Sequence, residues 1–362
     1  MTNHKLRFGM VGAGGISQAY AQAFDSCDAA RLVAVADVRG EAARALGEGA
    51  GCHSYDSYQT MAARSRLDAV VICTPPVTHP EIAIHFLEHG VHVLCEKPFS
   101  IDSRGARKMI EAANKAGVKL TMASKFRYVD DVIRAKSIVT SGILGEIILF
   151  ENAFTSRVDM TNRWNSKPSI SGGGVLVDNG SHSVDLMRYF LGPLAEVHVV
   201  EGKRVQGLDV DETVRIFVRS ESGVMGSIDL SWSIDKELDS YINIYGSHGT
   251  ISVGWKESKY RQSSSREWIV FGKGYNKVQA FRSQISNFAG AIRGEEQLLI
   301  TAEAALASVE VIEAARNSLG REQWTAVGRR ASNGRARLNG NGLLGSGIMA
   351  PAGPKSAPAV AR

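Results

Sequence analysis

The sequence predicts an α/β fold in two parts. A doubly wound parallel sheet comes first, followed by an α+β part with a mostly antiparallel open sheet. Three observations lead there. From Leu6 to Ala123, short apolar runs alternate with helix-period segments, the pattern of a parallel sheet covered on both faces. The first of these runs opens directly onto Gly12-Ala13-Gly14-Gly15-Ile16-Ser17. Beyond Ser124 polar and apolar residues alternate instead, as in Ser227-Ile228-Asp229-Leu230-Ser231-Trp232, and Glu221-Ser222-Gly223 and Ser247-His248-Gly249 read as hairpin turns. The expected parts are 1–124, 125–328 and a basic tail at 329–362. That tail is mostly Gly, Ala, Pro, Ser, Asn and Arg, with too little apolar content to fold.

The chain has 362 residues, 44% hydrophobic and 22% charged, enough for two cores. Its net charge of +5 does not indicate a nucleic-acid binder. The six cations of the tail, with no acid among them, account for the excess, and residues 1–328 sum to −1. Cys27, Cys52, Cys73 and Cys95 form no CxxC pair, which suits buried thiols in a reducing compartment. The opening segment has no leader-like apolar stretch, and no run approaches a spanning length. A cytoplasmic protein without membrane or nucleic-acid partners is expected.

The strand Leu6–Val11, the glycine turn and the helix after it form the strand–turn–helix context of a dinucleotide fingerprint, the Rossmann motif. Gly12 permits the tight turn. Gly14 lets the backbone approach a pyrophosphate, and the helix N-terminus supplies N–H donors. Ser17 replaces the third glycine. The strand Arg31–Ala36 ends at Asp37, where an acid binds the adenosine ribose hydroxyls and repels a 2′-phosphate. NAD is therefore expected over NADP, with Arg39 able to soften the preference. Asp37 could also simply cap the helix Glu41–Leu46.

The strand Asp68–Cys73 runs into Thr74-Pro75-Pro76-Val77-Thr78-His79-Pro80, too rich in proline for helix. The helix Glu81–Glu88 follows, with His85 and His89 one turn apart. No third ligand accompanies them, so no metal site is expected. The strand Val91–Cys95 ends at Glu96-Lys97-Pro98, which places a carboxylate and an ammonium where open α/β sheets bind ligands. The helix Ser103–Ala116 stops at Gly117, and the strand Val118–Ala123 completes the first part.

In the second part, a helix is expected at Val129–Ser141. Strands are expected at Glu146–Thr155, Ala195–Glu201, Thr213–Arg219, Val224–Ser233, Tyr241–Tyr245 and Thr250–Val253, and late helices at Ala280–Ile292 and Ala302–Ser318. The outer face of the sheet is a surface another subunit could cover. Between the first two strands lies Ser171-Gly172-Gly173-Gly174, followed by Asp178 and His182. These two are four apart and share a face if the segment is helical. One reading is a capping Asp with a surface His. The other is a general base, His182, beside an acid.

The glycine turn, Glu96-Lys97-Pro98, the triple glycine with Asp178 and His182, and Gly246-Ser247-His248-Gly249-Thr250 together resemble the glucose–fructose oxidoreductase / inositol dehydrogenase / MocA (Gfo/Idh/MocA) family. Order and spacing match from about Leu6 to Ser318. The resemblance implies an NAD-dependent oxidoreductase acting on a ring hydroxyl or keto carbon of a sugar, sugar phosphate or nucleotide sugar. It implies catalytic Lys97, Asp178 and His182. It further implies a cofactor site at Gly12, Gly14, Gly15, Ile16, Asp37, Arg39, Thr74, Pro75, His79, Glu96 and Lys97, and a carbohydrate site at Lys97, Arg127, Arg163, Trp164, Asp178 and His182. Trp164-Asn165 stands where the family often has Trp-Arg. A homodimer or homotetramer is expected.

Lys125, Arg127, Arg157 and Arg163 flank the expected crevice, more cations than a neutral ring needs. Either two or three of them simply point to solvent, or together they favour an anionic substrate. The alternatives are an inositol or polyol dehydrogenase, a reductase running the opposite way, and a non-catalytic NAD-binding regulator, which would be expected to lose Lys97 or His182.

Overall fold

The computed structural model describes residues 4–265 and 267–328. The tail expected at 329–362 lies outside them. The first sheet is built from β1 (Leu6–Val11), β2 (Ala30–Ala36), β3 (His53–Tyr55), β4 (Ala69–Ile72), β5 (His92–Glu96) and β6 (Leu120–Ala123). It is connected by α1 (Gly15–Asp25), α2 (Gly40–Ala50), α3 (Tyr58–Arg64), α4 (His79–Glu88) and α5 (Ser103–Ala116). All pairings are parallel, in the order β3-β2-β1-β4-β5-β6. The order reverses between β1 and β4, which opens the binding crevice at their carboxyl ends. Every residue of β4 and β6 is buried, as strands covered on both faces require. Asp102 caps α5 by accepting from Gly105 N at 2.7 Å, and Gly117 ends it in the left-handed region.

The chain continues through α6 (Asp130–Thr140), β7 (Ile147–Thr155), the short α7 (Pro168–Ser171) and α8 (Val175–Leu191). Next come β8 (Leu194–Glu201), β9 (Thr213–Ser220), β10 (Met225–Ser231), β11 (Ser240–Gly246), β12 (Gly249–Gly254), β13 (Ser258–Gln262) and β14 (Ile269–Gly272). It closes with α9 (Lys277–Arg293), α10 (Ala302–Ser318) and β15 (Thr325–Ala326). The second sheet has the order β14-β13-β12-β11-β7-β10-β9-β8-β15 and is antiparallel except where β10 runs parallel to β7. Along β10, Gly226, Ile228 and Leu230 face the core, and Met225, Ser227 and Asp229 face outward.

Helix α8 packs beneath this sheet, with Val175, Leu176, Val184, Leu186 and Met187 wholly buried. Its first residues have no capping side chain of their own. Instead Asp211 accepts from Gly174 N at 3.1 Å and from Leu176 N at 2.7 Å, and Val175 N donates to Asp211 O at 2.9 Å. A Cβ at Gly174 would stand 2.0 Å from Asp211 O, so only glycine allows this close approach. Helix α9 returns to the first sheet. Its Phe281, Ile285 and Phe288 join Phe8, Tyr20 and Phe24 in one core. Among the described residues no helix is long and apolar enough to cross a membrane.

Candidate active site

Two adjoining cavities meet at the carboxyl ends of β1, β4 and β5. The first, about 570 Å³, is a cleft lined by Gly12, Gly14, Gly15, Asp37, Thr74 and Pro75 among others. Gly12 has φ +99°, and a Cβ there would meet the Cys73 carbonyl carbon and oxygen at 2.8 Å. At Gly14 and Gly15 nothing lies within 4 Å of where a Cβ would stand, so a phosphate can reach the backbone at the start of α1. Asp37 closes the cleft: its Oδ2 accepts from Ala13 N at 2.7 Å and its Oδ1 from Arg39 N at 2.8 Å. Burial works against the charge of Asp37. The backbone N–H groups of Ala13 and Arg39, helped by the Arg39 guanidinium, outweigh it and hold the carboxyl below its usual range. These residues fit a dinucleotide.

The second cavity, also about 570 Å³, contains Glu96, Lys97, Lys125, Asp178 and His182, with Ile16 and the pair Trp164-Asn165 on its walls. Cys73, Thr74 and Trp164 line both cavities. Glu96 ends β5 and is buried. Its Oε1 accepts from the Tyr20 hydroxyl at 2.8 Å and its Oε2 from Lys97 N at 3.0 Å, while Gln284 donates to the Tyr20 oxygen at 2.9 Å. Burial raises the Glu96 carboxyl; the Lys97 charge and the Tyr20 hydrogen bond oppose the rise.

Lys97 Nζ lies 2.7 Å from Asp178 Oδ1 and 3.0 Å from Asp178 O. Asn165 Nδ2 approaches Asp178 Oδ2 at 3.3 Å. The acid beside His182 in sequence is thus engaged by Lys97 and Asn165. His182 itself is buried against Phe126, edge-on at 5.0 Å, and its Nδ1 has no partner. Burial first, then the charges of Lys97 and Lys125, hold its pKa well below 6.5, so the imidazole is neutral. Lys125 is half-buried and lowered to about 8 by burial and by Lys97.

Two expected contacts are corrected by the geometry. Arg127 does not enter the second cavity. Its Nε donates to Asp185 Oδ2 at 2.8 Å and its Nη2 to Asp185 Oδ1 at 2.6 Å, both residues are buried, and the guanidinium lies over the Tyr189 ring. The fork geometry matches the carboxylate and commits Nε and Nη2 to it, away from the second cavity. His79 does not face the cofactor cleft either. It is fully buried, with ring nitrogens 2.9 Å from Pro98 O and 2.8 Å from Thr74 O, so it ties together the two loops that form the wall. Arg157 is exposed and outside the lining, whereas Arg163 reaches the rim. Asn165, Asn179 and Trp255 also line the cavity; Asn165 stands where the family often has Arg, and Asn179 and Trp255 are marked in the sequence only by position, beside Asp178 and just after β12. Among the described residues no group of three His, Cys, Asp or Glu side chains could hold a metal ion.

Comparison with known proteins completes the picture. Residues 6–124 match the model of an oxidoreductase family with an NAD-binding Rossmann fold, GFO_IDH_MocA, and residues 132–252 match the GFO/IDH/MocA C-terminal domain. The inositol 2-dehydrogenase of Rhizobium meliloti is 26% identical over 342 residues, covering 89% of this chain and 99% of that protein. The D-glucoside 3-dehydrogenase of Escherichia coli is 34% identical over 275 residues, covering 75% of this chain and 74% of that protein. A levoglucosan dehydrogenase solved with NADH and levoglucosan superposes with a TM-score of 0.83 at 21% identity, covering 90% of this chain and 100% of that one.

Proposed function

The chain belongs to the GFO/IDH/MocA oxidoreductase family, and we propose that it oxidises a secondary hydroxyl of a neutral ring, a glycoside or a cyclitol. That it is an NAD-dependent oxidoreductase acting on a CH–OH group of a sugar-like molecule follows from the family. The finer reading rests chiefly on the fate of the flanking cations. Of the four that favoured an anionic substrate, Arg127 is spent on Asp185 and Arg157 lies outside the cavity. Arg163 stands exposed on the rim, and the interior holds Lys125 and, besides those four, Lys97, which is already balanced by Asp178, among aromatic and amide walls suited to stacking and hydrogen-bonding a polyol. The similarity to an inositol dehydrogenase and a glucoside dehydrogenase supports the same choice.

When bound, NAD supplies the hydride acceptor. The chain's own residues handle the proton. Lys97 donates a hydrogen bond to the reacting oxygen, with Asp178 fixing the direction of the ammonium. Neutral His182 takes the hydroxyl proton as the carbonyl forms, which is work an imidazole unprotonated at neutral pH can do. The charge of Lys97 stabilises the alkoxide character that develops. In the reducing direction the same groups return the proton.

A second reading, a sugar phosphate, is favoured by one observation: the exposed Arg163 on the cavity rim has no ion-pair partner among the described residues. Initial rates with NAD and a panel of methyl glycosides, inositols and their phosphates, at low and high salt, decide between them. Neutral rings turned over best, with no salt effect, support the neutral reading. A phosphate preferred at low salt and weakened at high salt overturns it.

Copies of the chain are proposed to meet through the outer face of the second sheet, where Phe217, Met225 and Trp324 are exposed. Sedimentation of Met225→Arg as a smaller species than the parent would support that contact, and an unchanged species would count against it.

A further inference from the structure

Lys125 is the uncommitted ammonium of the substrate cavity. It opens the turn after β6, and that turn is held rigidly, since Phe126 is buried in the core and Arg127 is locked on Asp185. The ammonium stands 5.2 Å from the Phe126 ring centre and 5.9 Å from those of Tyr275 and Phe281. Glu96 and Lys97 face it from the end of β5, Asp178 and His182 from α8, Tyr275 from the loop before α9 and Lys277 from that helix's first residue. Lys97 makes two hydrogen bonds to Asp178, whereas Lys125 makes no hydrogen bond or ion pair among the described residues. The nearby Tyr275 hydroxyl is also buried without a partner. A half-buried ammonium beside a second ammonium is costly unless something supplies oxygen to it.

We propose that Lys125 is a specificity-determining substrate contact, donating to a ring oxygen other than the one oxidised and so making that oxygen obligatory. The proposal rests on the neutral-ring reading above and adds the residue that selects among such rings. Lys97 and His182 already serve the reacting oxygen, and the repulsion between the two ammoniums assigns each its own acceptor. Polyol rings carry oxygens on neighbouring carbons, so one ring can serve both. A site built to bond an oxygen rejects the analogue lacking it, because the ammonium is then left unpaired.

The test uses the enzyme with NAD, methyl β-D-glucopyranoside and its monodeoxy analogues, in the parent, Lys125→Met and Lys125→Arg. The parent should reject one analogue, lacking a hydroxyl elsewhere than at the reacting carbon, by about 10²-fold or more in kcat/KM. Lys125→Met should bring the intact ring down to the level of that analogue and treat the two alike, while Lys125→Arg keeps part of the discrimination. If Lys125→Met does not fold, Lys125→Gln takes its place. NADH affinity, read by fluorescence, should stay within about twofold in each variant. A uniform loss across the intact ring and every analogue overturns the proposal and leaves the dehydrogenase reading standing. So does a tenfold or greater loss of NADH affinity, which would put Lys125 in the cofactor site. If the parent turns over no neutral ring, the neutral-ring reading fails and takes this proposal with it.

Discussion

Lys97 at the end of β5 and Asp178 in the first turns of α8 join the two sheets across the active cavity, the ammonium 2.7 Å from the carboxylate and 3.0 Å from the backbone oxygen of the same residue. The pair links the cofactor-binding layer to the helix that carries His182. It also holds the ammonium at the wall of the cavity, where the proposed reaction places the reacting oxygen.

Cofactor choice should depend on Asp37. Its carboxylate is held ionised by the N–H groups of Ala13 and Arg39 at the point where an adenosine ribose would lie. Asp37→Ser should weaken NAD and narrow its advantage over NADP by about tenfold, or ~1.4 kcal/mol. Kd values for both cofactors check this, and a parent enzyme that prefers NADP would show that Arg39 dominates.

Arg127 should behave as a structural residue. Removing one partner of a buried, bidentate ion pair strands the other, at a cost of about 3–5 kcal/mol. Arg127→Met and Asp185→Asn should therefore both lower the urea midpoint strongly. If Arg127→Met instead left stability intact and raised KM alone, a substrate contact would have been missed.

Acid should destabilise the fold through its buried histidines. His79 and His182 are both held below 6.5, chiefly by burial. As pH falls below 6.5 the unfolded chain binds protons that these folded imidazoles refuse, so stability is full above that value and is lost toward the lowered pKa. Urea midpoints on either side of pH 6.5 should show the decline, and His182→Gln should reduce it. An equal decline in both proteins would assign it to other groups.

Much of this was legible in the sequence where chemistry is local. The glycine turn, Asp37 at the end of β2 and Lys97 at the end of β5 sit where strand-end geometry puts them, and helix ends such as Gly117 carry their own signals. Helix α8 was harder to read. Val175, Val177, Asn179, Gly180 and Ser181 are weak helix formers, and burial on nearly all sides erases any amphipathic stripe. Its N-terminus is capped by Asp211, supplied from 37 residues downstream. The short strands β3, β13 and β14 are partly exposed and carry no clear alternation. Which cations are free could not be read from spacing at all. Arg127 finds its carboxylate 58 residues away, and Asp178 is taken by Lys97 from 81 residues away rather than by His182 one turn on.

The most direct test of the account is the initial rate of NADH formation from NAD and a neutral polyol by the parent, Lys97→Met and His182→Asn, with NADH affinity measured alongside. The account predicts that each variant loses about 10²-fold or more in kcat, the usual scale for proton-transfer groups, while NADH still binds. Near-parent turnover in both variants would contradict it.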